Sequence, residues 1–413
     1  MKTHLKLALK VLARRKTFTA ISLFGIAMTL AVLMVATAVL DDLFAPGAPE
    51  TRFDRTLVVY TLGQYGDQYG MTSTPGYGFL DRFVRTLPNI EKASIFSTTQ
   101  STAIYRDGAR IDTMLKRADG AYWQILDFRF IEGAPFSARD DESGRQVAVI
   151  TDEMRAKLFD GAPAVGRTID LDGRAFRVVG VVPRVPFTRF MAYSQVWVPI
   201  GTMKSSEYRT QMIGDFSGAV LARDRADFPA LKREFESRLP RVPSAEGRQF
   251  KTTRAGLDTP FEGFARMVVG NRNADSTATT RVATVLGVLA LAFMALPAVN
   301  LITLNLSRIL ERSSEIGVRR AFGAPRSALV RQFVFENVVM TAVGGVGGFV
   351  LAAALLPMIN RLAPVPDMQL MMNLRVFGFG MLLALFFGVL SGVYPAWRMS
   401  RLHPVNALRG GTQ

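Results

Sequence analysis

Four apolar stretches constrain this chain more than any other feature of its sequence. They cover residues 18–40, 281–303, 338–359 and 376–396. Each is close to the roughly 20 residues that a helix needs to cross the hydrocarbon core of a bilayer. Backbone amides find no water inside a bilayer, so these stretches are predicted to cross it as four transmembrane helices. Pro297 predicts a kink in the second helix. A membrane helix tolerates this proline because neighbouring helices can satisfy the backbone carbonyl that it frees.

The first stretch has a second interpretation, a cleavable signal peptide, because residues 1–17 carry six basic side chains and no acid. The apolar run is, however, longer than the roughly 7–15 residues of a signal peptide. The Asp41-Asp42 pair that follows it is also a poor cleavage context. We therefore expect a retained membrane helix, preceded by a cytoplasmic amphipathic helix over residues 1–17.

The basic residues predict the orientation of the four helices. Residues 1–17, 304–337 and 397–413 hold fifteen Lys and Arg against three Glu, a net +12 of the formal +16 of the chain. With four helices these three segments fall on one side, and an excess of Lys and Arg marks the cytoplasmic side. Both termini are then cytoplasmic, and residues 41–280 and the short loop 360–375 lie outside. The basic excess is explained as a topology signal, so we expect no nucleic-acid partner.

Residues 41–280 predict a large extracytoplasmic α+β domain made of two lobes. Strand–helix–strand patterns occur at about residues 50–106 and 213–260, which predicts an α/β lobe split in sequence. Residues 107–212 between them are richer in strand signals and predict an inserted β-rich lobe. In the whole chain, the expected fold class is an α-helical membrane protein that carries this α+β domain.

Local patterns within the domain give more specific predictions. Single strands are predicted at residues 56–62 and 95–105, and a helix at residues 78–87. The Asp172-Gly173 pair between two alternating runs predicts a β-hairpin. An aromatic cluster is interpreted as core packing rather than a ligand-stacking surface; it comprises Tyr122, Trp123, Phe128 and Phe130.

Enzymatic function is disfavoured by the residues that the chain lacks. It has no cysteine, and its only histidines, His4 and His403, lie near opposite ends. Disulfides, thiolate chemistry and a Ser-His-Asp triad are therefore not expected. The phosphate-binding pattern GxxxxGK[ST] is also missing from the sequence. We expect no catalytic residues, metal or cofactor in this chain.

Small residues predict close helix contacts in the membrane. Gly344 and Gly348 lie four residues apart in the third stretch, and Gly388 and Gly392 do so in the fourth. This spacing lets two helix backbones approach closely. The contact could lie within one chain or between two chains, and we favour packing within the chain.

A charged segment precedes the third stretch. Glu311, Arg312, Glu315, Arg319 and Arg320 recur at three- and four-residue spacings, which suits a helix with i,i+4 ion pairs. From these residues alone, a solvated cytoplasmic face explains the pattern equally well.

Several segments resemble one protein family. Residues 311–324, ERSSEIGVRRAFGA, look like the signature of MacB/FtsX-type ABC transporter permeases. Residues 394–409, YPAWRMSRLHPVNALR, resemble the closing motif of the same family. Residues 120–136, 147–153 and 165–169 are similar to its periplasmic core domain.

The resemblance implies a non-enzymatic permease subunit of the bacterial inner membrane. It implies a separate cytoplasmic ABC ATPase as partner, which binds ATP and Mg²⁺, and no fused ATPase domain. The other implied partners are a second permease copy or a sister permease, membrane lipid and a periplasmic adaptor. In this family the ATPase drives motions of the outer domain, called mechanotransmission, for efflux or export. The ATPase-coupling residues would be Glu311, Arg312, Glu315, Ile316, Gly317, Arg319, Arg320 and Gly323.

Two alternatives stay open within the same resemblance. One is an FtsX-like signalling regulator of cell-wall hydrolases, although such members have a smaller outer domain. The other is lipoprotein extraction, as in LolC/LolE-type permeases. The sequence does not select a substrate.

Overall fold

A computed structural model describes most of the chain. The described residues are 16–44, 47–67, 69–106, 108–244, 250–269, 278–289, 291–292, 325–362, 370–375, 377–382, 384–386 and 389. The chain divides into two compact units. One unit contains the long apolar helices, and the other, from Asp42 to Ala283, contains the domain that the sequence predicts to be extracytoplasmic.

The extracytoplasmic domain is built on a mixed sheet. The strands are β1 (Thr56–Val59), β2 (Leu62–Tyr65), β3 (Gly70–Ser73), β4 (Ile90–Ser97), β5 (Gln100–Arg106), β6 (Ala109–Ala118), β7 (Glu132–Gly133), β8 (Val147–Thr151), β9 (Thr168–Leu171), β10 (Arg174–Val182), β11 (Val196–Pro199), β12 (Phe216–Ala222) and β13 (Thr252–Ala255). The order of the large sheet is β1-β12-β4-β6-β11-β8-β10-β9-β5, with β7 paired to β10. The strands β13-β2-β3 form a second, small sheet.

The helices belong to both units. They are α1 (Lys16–Phe44), α2 (Tyr77–Phe79), α3 (Tyr122–Ile125), α4 (Ala138–Glu142), α5 (Asp152–Phe159), α6 (Phe228–Arg238), α7 (Pro260–Val269), α8 (Ala278–Leu289), α9 (Arg326–Leu362) and α10 (Phe377–Phe386). A π-helix over Leu80–Val84 continues α2 directly. The helix predicted at residues 78–87 therefore begins at Tyr77 and ends at Val84.

Three hydrophobic cores pack on the large sheet among the described residues: one towards each end, and a third, around Tyr122 and Trp197, that contacts strands of both ends. Strands β1, β4 and β12 pack with α6 around Leu57, Phe79 and Phe235, which are fully buried. Strands β8, β10 and β11 pack with α5 around Ile150 and Val198. Between these parts, β4 and β6 share a single residue pair, Phe96 with Ala118. The sheet is thus continuous but narrow where the two parts meet.

The structure corrects the extents of two predicted strands. The strand predicted at residues 56–62 is divided, because β1 pairs with β12 whereas β2 pairs with β3 and β13. The strand predicted at residues 95–105 is likewise divided into β4 and β5 by Thr98 and Thr99.

The second division also corrects a lobe boundary. Strand β5 pairs along its whole length with β6, and Ile104 belongs to the core around Ile150. The first segment of the split lobe therefore ends at Ser97, and the boundary predicted at residue 106 was placed too late. A local sequence pattern can predict that a segment forms a strand, but it does not predict which strand it pairs with.

The predicted hairpin at Asp172-Gly173 is confirmed. Strands β9 and β10 are antiparallel, with Leu171 opposite Arg174. Asp172 has φ 52° and Gly173 has φ 72°, so both turn residues are left-handed. Two such residues are what a two-residue type I′ turn requires.

Two described helices are long and apolar enough to cross a membrane. They cover Thr19–Leu40 within α1 and Val334–Leu362 within α9. Helices α8 and α10 are shorter, and most of the residues that would extend them lie outside the described part of the chain. The second and fourth membrane crossings therefore stay predictions. Helix α9 begins at Arg326, directly after Pro325.

Candidate functional site

A cavity of about 480 Å³ lies in the extracytoplasmic domain. Its walls come from β4 and β6 at the narrow part of the sheet, from helix α7 and from residues 187–193 in the loop after β10. Glu50 and Phe53, which precede β1, complete one side. Ligand sites in proteins commonly enclose roughly 300–1,000 Å³, so the cavity is large enough for a drug-sized molecule.

Most of the cavity wall is apolar. The principal apolar side chains are those of Phe53, Phe96, Met114, Phe190, Met191 and Phe264. Three aromatic contacts fix the loop side: the ring centroids of Phe190 and Phe264 are 6.3 Å apart, those of Phe187 and Phe190 are 5.9 Å apart, and those of Phe187 and Tyr193 are 5.3 Å apart. The side chain of Phe187 is 47% exposed, so the aromatic wall reaches the protein surface.

A buried lysine lines the same cavity. Lys116 lies two residues before the end of strand β6 and is only 1% exposed. Its ammonium donates to the carbonyl oxygens of Phe190 at 3.1 Å and Met191 at 2.6 Å, and lies 5.4 Å from the ring centroid of Phe96. Burial lowers the pKa of Lys116 to about 7, and the nearby Glu50 carboxylate opposes this shift.

Glu50 is the acidic counterpart of Lys116. It is 2% exposed, and its carboxylate accepts a hydrogen bond from the amide of Ala192 at 3.1 Å. Arg189 approaches it to 4.0 Å. Burial raises the pKa of Glu50 to about 7, against the lowering effects of Arg189, the Ala192 amide and Lys116. Three side chains from distant parts of the chain thus share one desolvated electrostatic environment.

Besides Lys116 and Glu50, serine and threonine residues line the cavity. They are Thr61, Thr72, Ser73, Thr74, Ser97, Thr98, Thr99, Thr188 and Ser217. Some are engaged within the domain: the Thr99 hydroxyl donates to the Tyr193 carbonyl at 3.0 Å, and the Ser97 hydroxyl accepts from the Arg117 amide at 2.9 Å. The Thr188 hydroxyl is buried without a hydrogen-bond partner among the described residues. An unpaired buried hydroxyl is costly, so its presence needs an explanation.

The aromatic residues predicted as core packing hold this site in place. Tyr122, Trp123, Phe128 and Phe130 lie in one hydrophobic core, so the interpretation as core packing is confirmed. The Tyr122 hydroxyl donates to the Met191 carbonyl at 2.9 Å, which is the same oxygen that Lys116 binds. The indole of Trp197 in turn donates to the Tyr122 hydroxyl at 3.2 Å. Buried hydrogen bonds from Tyr122 and Lys116 therefore hold the loop of residues 187–193 against the sheet.

Most predicted site residues lie outside the described residues. This applies to Gly388 and Gly392 and to the predicted coupling residues Glu311, Arg312, Glu315, Ile316, Gly317, Arg319, Arg320 and Gly323. Within the described ranges, no three histidine or carboxylate side chains come together in a way that could hold a metal ion.

Gly344 and Gly348 lie on the side of α9 that contacts α1. A Cβ atom at Gly344 would lie 2.8 Å from the Cβ of Ile26. One at Gly348 would lie 2.9 Å from the Ala27 carbonyl oxygen and from the Cβ of Leu30. Both distances are too short for a side chain, so the close approach of these two helices in the apolar unit depends on glycine.

Two known protein families together match about four-fifths of the chain. Residues 19–238 match the MacB-like periplasmic core domain, and residues 287–404 match the C-terminal domain of FtsX-like permeases. The first match alone covers more than half of the 413 residues.

Individual relatives are distant in sequence. The ABC transporter permease YknZ of Bacillus subtilis is 24% identical over 333 residues, covering 80% of this chain and 79% of its own. The macrolide export protein MacB of Bdellovibrio bacteriovorus is 26% identical, over 70% of this chain and 42% of its own. The pyoverdine export protein PvdT of Pseudomonas syringae is 28% identical, over 69% of this chain and 41% of its own. The chain thus spans about two-fifths of the length of the latter two, which are named as ATP-binding/permease proteins.

Two solved structures are similar to parts of the chain. The extracellular domain of YknZ covers 48% of this chain and 98% of its own at 15% identity, with a TM-score of 0.37. The periplasmic region of MacB from Actinobacillus actinomycetemcomitans covers 53% of this chain and 94% of its own at 14% identity, also with a TM-score of 0.37.

Proposed function

Because the chain belongs to the MacB/FtsX-type ABC transporter permeases, we propose that it couples a separate cytoplasmic ATPase to conformational change of its extracytoplasmic domain, for efflux or export. The family matches of residues 19–238 and 287–404 carry this proposal, because they cover both the outer domain and the membrane part that a permease of this kind combines. ATP and Mg²⁺ are bound by the partner ATPase, and this chain supplies no catalytic residue.

The proposal includes a four-helix topology in the bacterial inner membrane. Its support is the charge distribution, since residues 1–17, 304–337 and 397–413 hold fifteen of the basic residues and only three acids. These segments lie in the cytoplasm, and the domain from Asp42 to Ala283 lies in the periplasm. The ATPase then docks on the predicted coupling segment before α9.

Helix α9 is suited to transmit movement from that segment. It runs without interruption through 37 residues, which corresponds to about 55 Å of helix. Its first residue, Arg326, follows the predicted coupling residue Gly323 almost directly. A displacement of the coupling segment therefore reaches the apolar unit through a single continuous helix.

The glycine contact between α9 and α1 continues this route. Helix α1 ends at Phe44, a few residues before Glu50 and β1 of the extracytoplasmic domain. Because Gly344 and Gly348 allow α9 to touch α1 closely, movement of α9 is passed to α1 by direct packing. This close contact within one chain also supports the intrachain interpretation of the glycine pattern.

Charge reversal tests the docking step. The full chain is coexpressed with its ATPase, and ATP hydrolysis by the purified complex is compared with that of the ATPase alone. Glu315→Lys and Arg319→Glu should abolish the difference between the two rates, because they invert charges on the docking face. Lys10→Glu is the control, since it removes a topology charge outside the predicted coupling residues. Unchanged hydrolysis in both coupling variants, with intact copurification, contradicts the assignment.

Helix separation tests the transmission step. Gly348→Leu should uncouple hydrolysis from export while the ATPase still copurifies, because the new side chain cannot fit against Ala27 and Leu30. Gly347→Leu is a matched control on the exposed side of the same turn, where a Cβ meets only Ala27 at 3.4 Å. Equal effects of the two variants would contradict transmission through this contact.

The further partners follow from the same proposal. A permease of this type acts as a dimer, with a second copy or a sister permease, and with membrane lipid around its helices. Crosslinking on the periplasmic side identifies the branch of the family. Recovery of an adaptor supports efflux, whereas recovery of a cell-wall hydrolase or a lipoprotein supports the signalling or extraction alternative.

A further inference from the structure

We propose that the cavity of the extracytoplasmic domain binds an uncharged, largely apolar small molecule. Three features of the cavity lead to this class of ligand: the two charges that line it cancel, several of its hydroxyl groups already donate within the domain, and its accessible side chains are largely aromatic. The inference concerns binding by this domain alone. A failed binding test would therefore leave the proposed coupling to an ATPase untouched.

The two charged side chains that line the cavity compensate each other. Lys116 and Glu50 carry opposite signs, and they are only 1% and 2% exposed. The Lys116 ammonium donates to the carbonyls of Phe190 and Met191. The Glu50 carboxylate accepts from the Ala192 amide. Because both groups are buried and engaged, a charged ligand would lose its hydration without gaining a partner, which disfavours anions and cations alike.

Several hydroxyl groups of the wall have already donated their proton within the domain. The Ser97 hydroxyl donates to the carbonyl of the next residue at 2.8 Å, and the Thr99 hydroxyl donates to the Tyr193 carbonyl at 3.0 Å. The Thr74 hydroxyl donates to the Gly214 carbonyl. A hydroxyl has a single proton, so these groups can only accept a hydrogen bond from a ligand. An acidic head group needs donors, whereas a neutral molecule with few polar atoms does not.

Aromatic side chains supply much of the accessible wall. Phe53, Phe190 and Phe264 line the cavity and remain half-buried in the folded domain. The rings of Phe190 and Phe264 are nearly parallel, with an angle of 22° between their planes. The exposed Phe187 continues this surface to the outside of the domain. An apolar ligand would remove this surface from water, and a cavity of about 480 Å³ accommodates a compact ring system.

Protection of an introduced cysteine in the full chain tests the proposal, because the protein contains no natural cysteine. Thr98→Cys places a thiol at a half-buried position of the cavity wall, and Ser206→Cys places one on an exposed surface outside the cavity. The full chain is transferred to amphipol, and modification by methyl methanethiosulfonate is followed by mass spectrometry. Three probes share a naphthalene body and differ in the substituent: 2-naphthylmethanol, 2-naphthoate and 2-naphthylmethylammonium. Equilibrium dialysis gives the free concentration of each probe, so that partition into the amphipol does not enter the comparison.

We expect 2-naphthylmethanol to halve the modification rate of Thr98→Cys at a free concentration at least about tenfold lower than either charged probe, since a charged group stays unpaired in the cavity. The rate at Ser206→Cys should not change with any probe. Met114→Lys in the Thr98→Cys chain adds an uncompensated charge to the wall and should shift the preference to 2-naphthoate. Met114→Leu is the matched control and should keep the preference for the alcohol.

Four results overturn the proposal: equal protection by all three probes, stronger protection by a charged probe in the Thr98→Cys chain, no protection by any probe, or slowing at both cysteine positions. If Met114→Lys does not fold, the comparison of the three probes in the Thr98→Cys chain decides. Mass spectrometry of an organic extract of the freshly purified chain distinguishes the source of the ligand. With protection by the alcohol, a copurified neutral lipid indicates a ligand drawn from the membrane, and an extract without one indicates a ligand that arrives from solution.

Discussion

Replacing Asp119 with alanine perturbs the polar contact that joins the two parts of the extracytoplasmic sheet. Asp119 follows β6 directly and is 5% exposed. One carboxylate oxygen accepts from the Ser94 hydroxyl at 2.7 Å and the Tyr122 amide at 3.0 Å. The other accepts from the Ile95 amide at 2.9 Å and the Arg85 guanidinium at 2.8 Å. These contacts lie where β4 and β6 share only one residue pair.

The structure sets the size of the expected effect. The alanine variant leaves the Ile95 amide buried without its acceptor, which costs about 1–3 kcal/mol. It also removes a charge-assisted bond to Arg85, whose side chain is 35% exposed and can turn to water. Together we expect a loss of about 3 kcal/mol in the free energy of unfolding, near the lower limit for breaking a buried ion pair. For a domain of this size that corresponds to a decrease of about 6–12 °C in the midpoint.

Asp81→Ala is the matched control, because Asp81 binds the same guanidinium at 2.6 Å but is 43% exposed. Its removal should cost no more than about 1 kcal/mol. The assay is thermal unfolding of the full chain in detergent, followed by tryptophan fluorescence, since Trp123 and Trp197 lie in the core beside Tyr122. If Asp119→Ala lowers the midpoint no more than Asp81→Ala does, the carboxylate does not join the two parts of the sheet.

Two further predictions concern the inserted part of the domain. Gly173→Val should lower stability by about 1–2 kcal/mol in the same unfolding assay, because valine at φ 72° is strained, whereas Gly173→Asn should be nearly neutral. Asp141→Asn should flatten the dependence of stability on pH, measured as unfolding midpoints from pH 4 to 7. Burial raises the pKa of Asp141 to about 6, against the hydrogen bond from the Gly201 amide, so its folded pKa lies above its unfolded value. The contribution of Asp141 to the free energy of unfolding is therefore complete below about pH 4 and is lost as pH rises through 6. An unchanged pH profile in the variant would contradict this assignment.

Local features of the fold follow from the sequence where short-range physics decides them. The Asp172-Gly173 turn was predicted because its backbone conformation is set by two neighbouring residues. The apolar helices over Thr19–Leu40 and Val334–Leu362 were predicted because length and composition suffice to define them. The family was also identified from short motifs, and the matches over residues 19–238 and 287–404 confirm it.

The pairing of strands was predicted less well. Strand β5 was assigned to the split lobe because it follows β4 in an almost continuous β pattern. In the structure it turns away at Thr98 and Thr99 and pairs with β6. The partner of a strand depends on the global hydrophobic arrangement, which the local alternation of residues does not contain.

The sequence by itself determined the family and the two long apolar helices, because both depend on contiguous residues. The cavity was decided only by the tertiary structure. In the sequence, Lys116 has the pattern of a solvent-exposed lysine in a strand, and no neighbouring residue indicates that it is buried. It is buried because the carbonyls of Phe190 and Met191, more than seventy positions later, replace its water. A group becomes a site when distant chain segments desolvate it together, and that is a property of the folded chain alone.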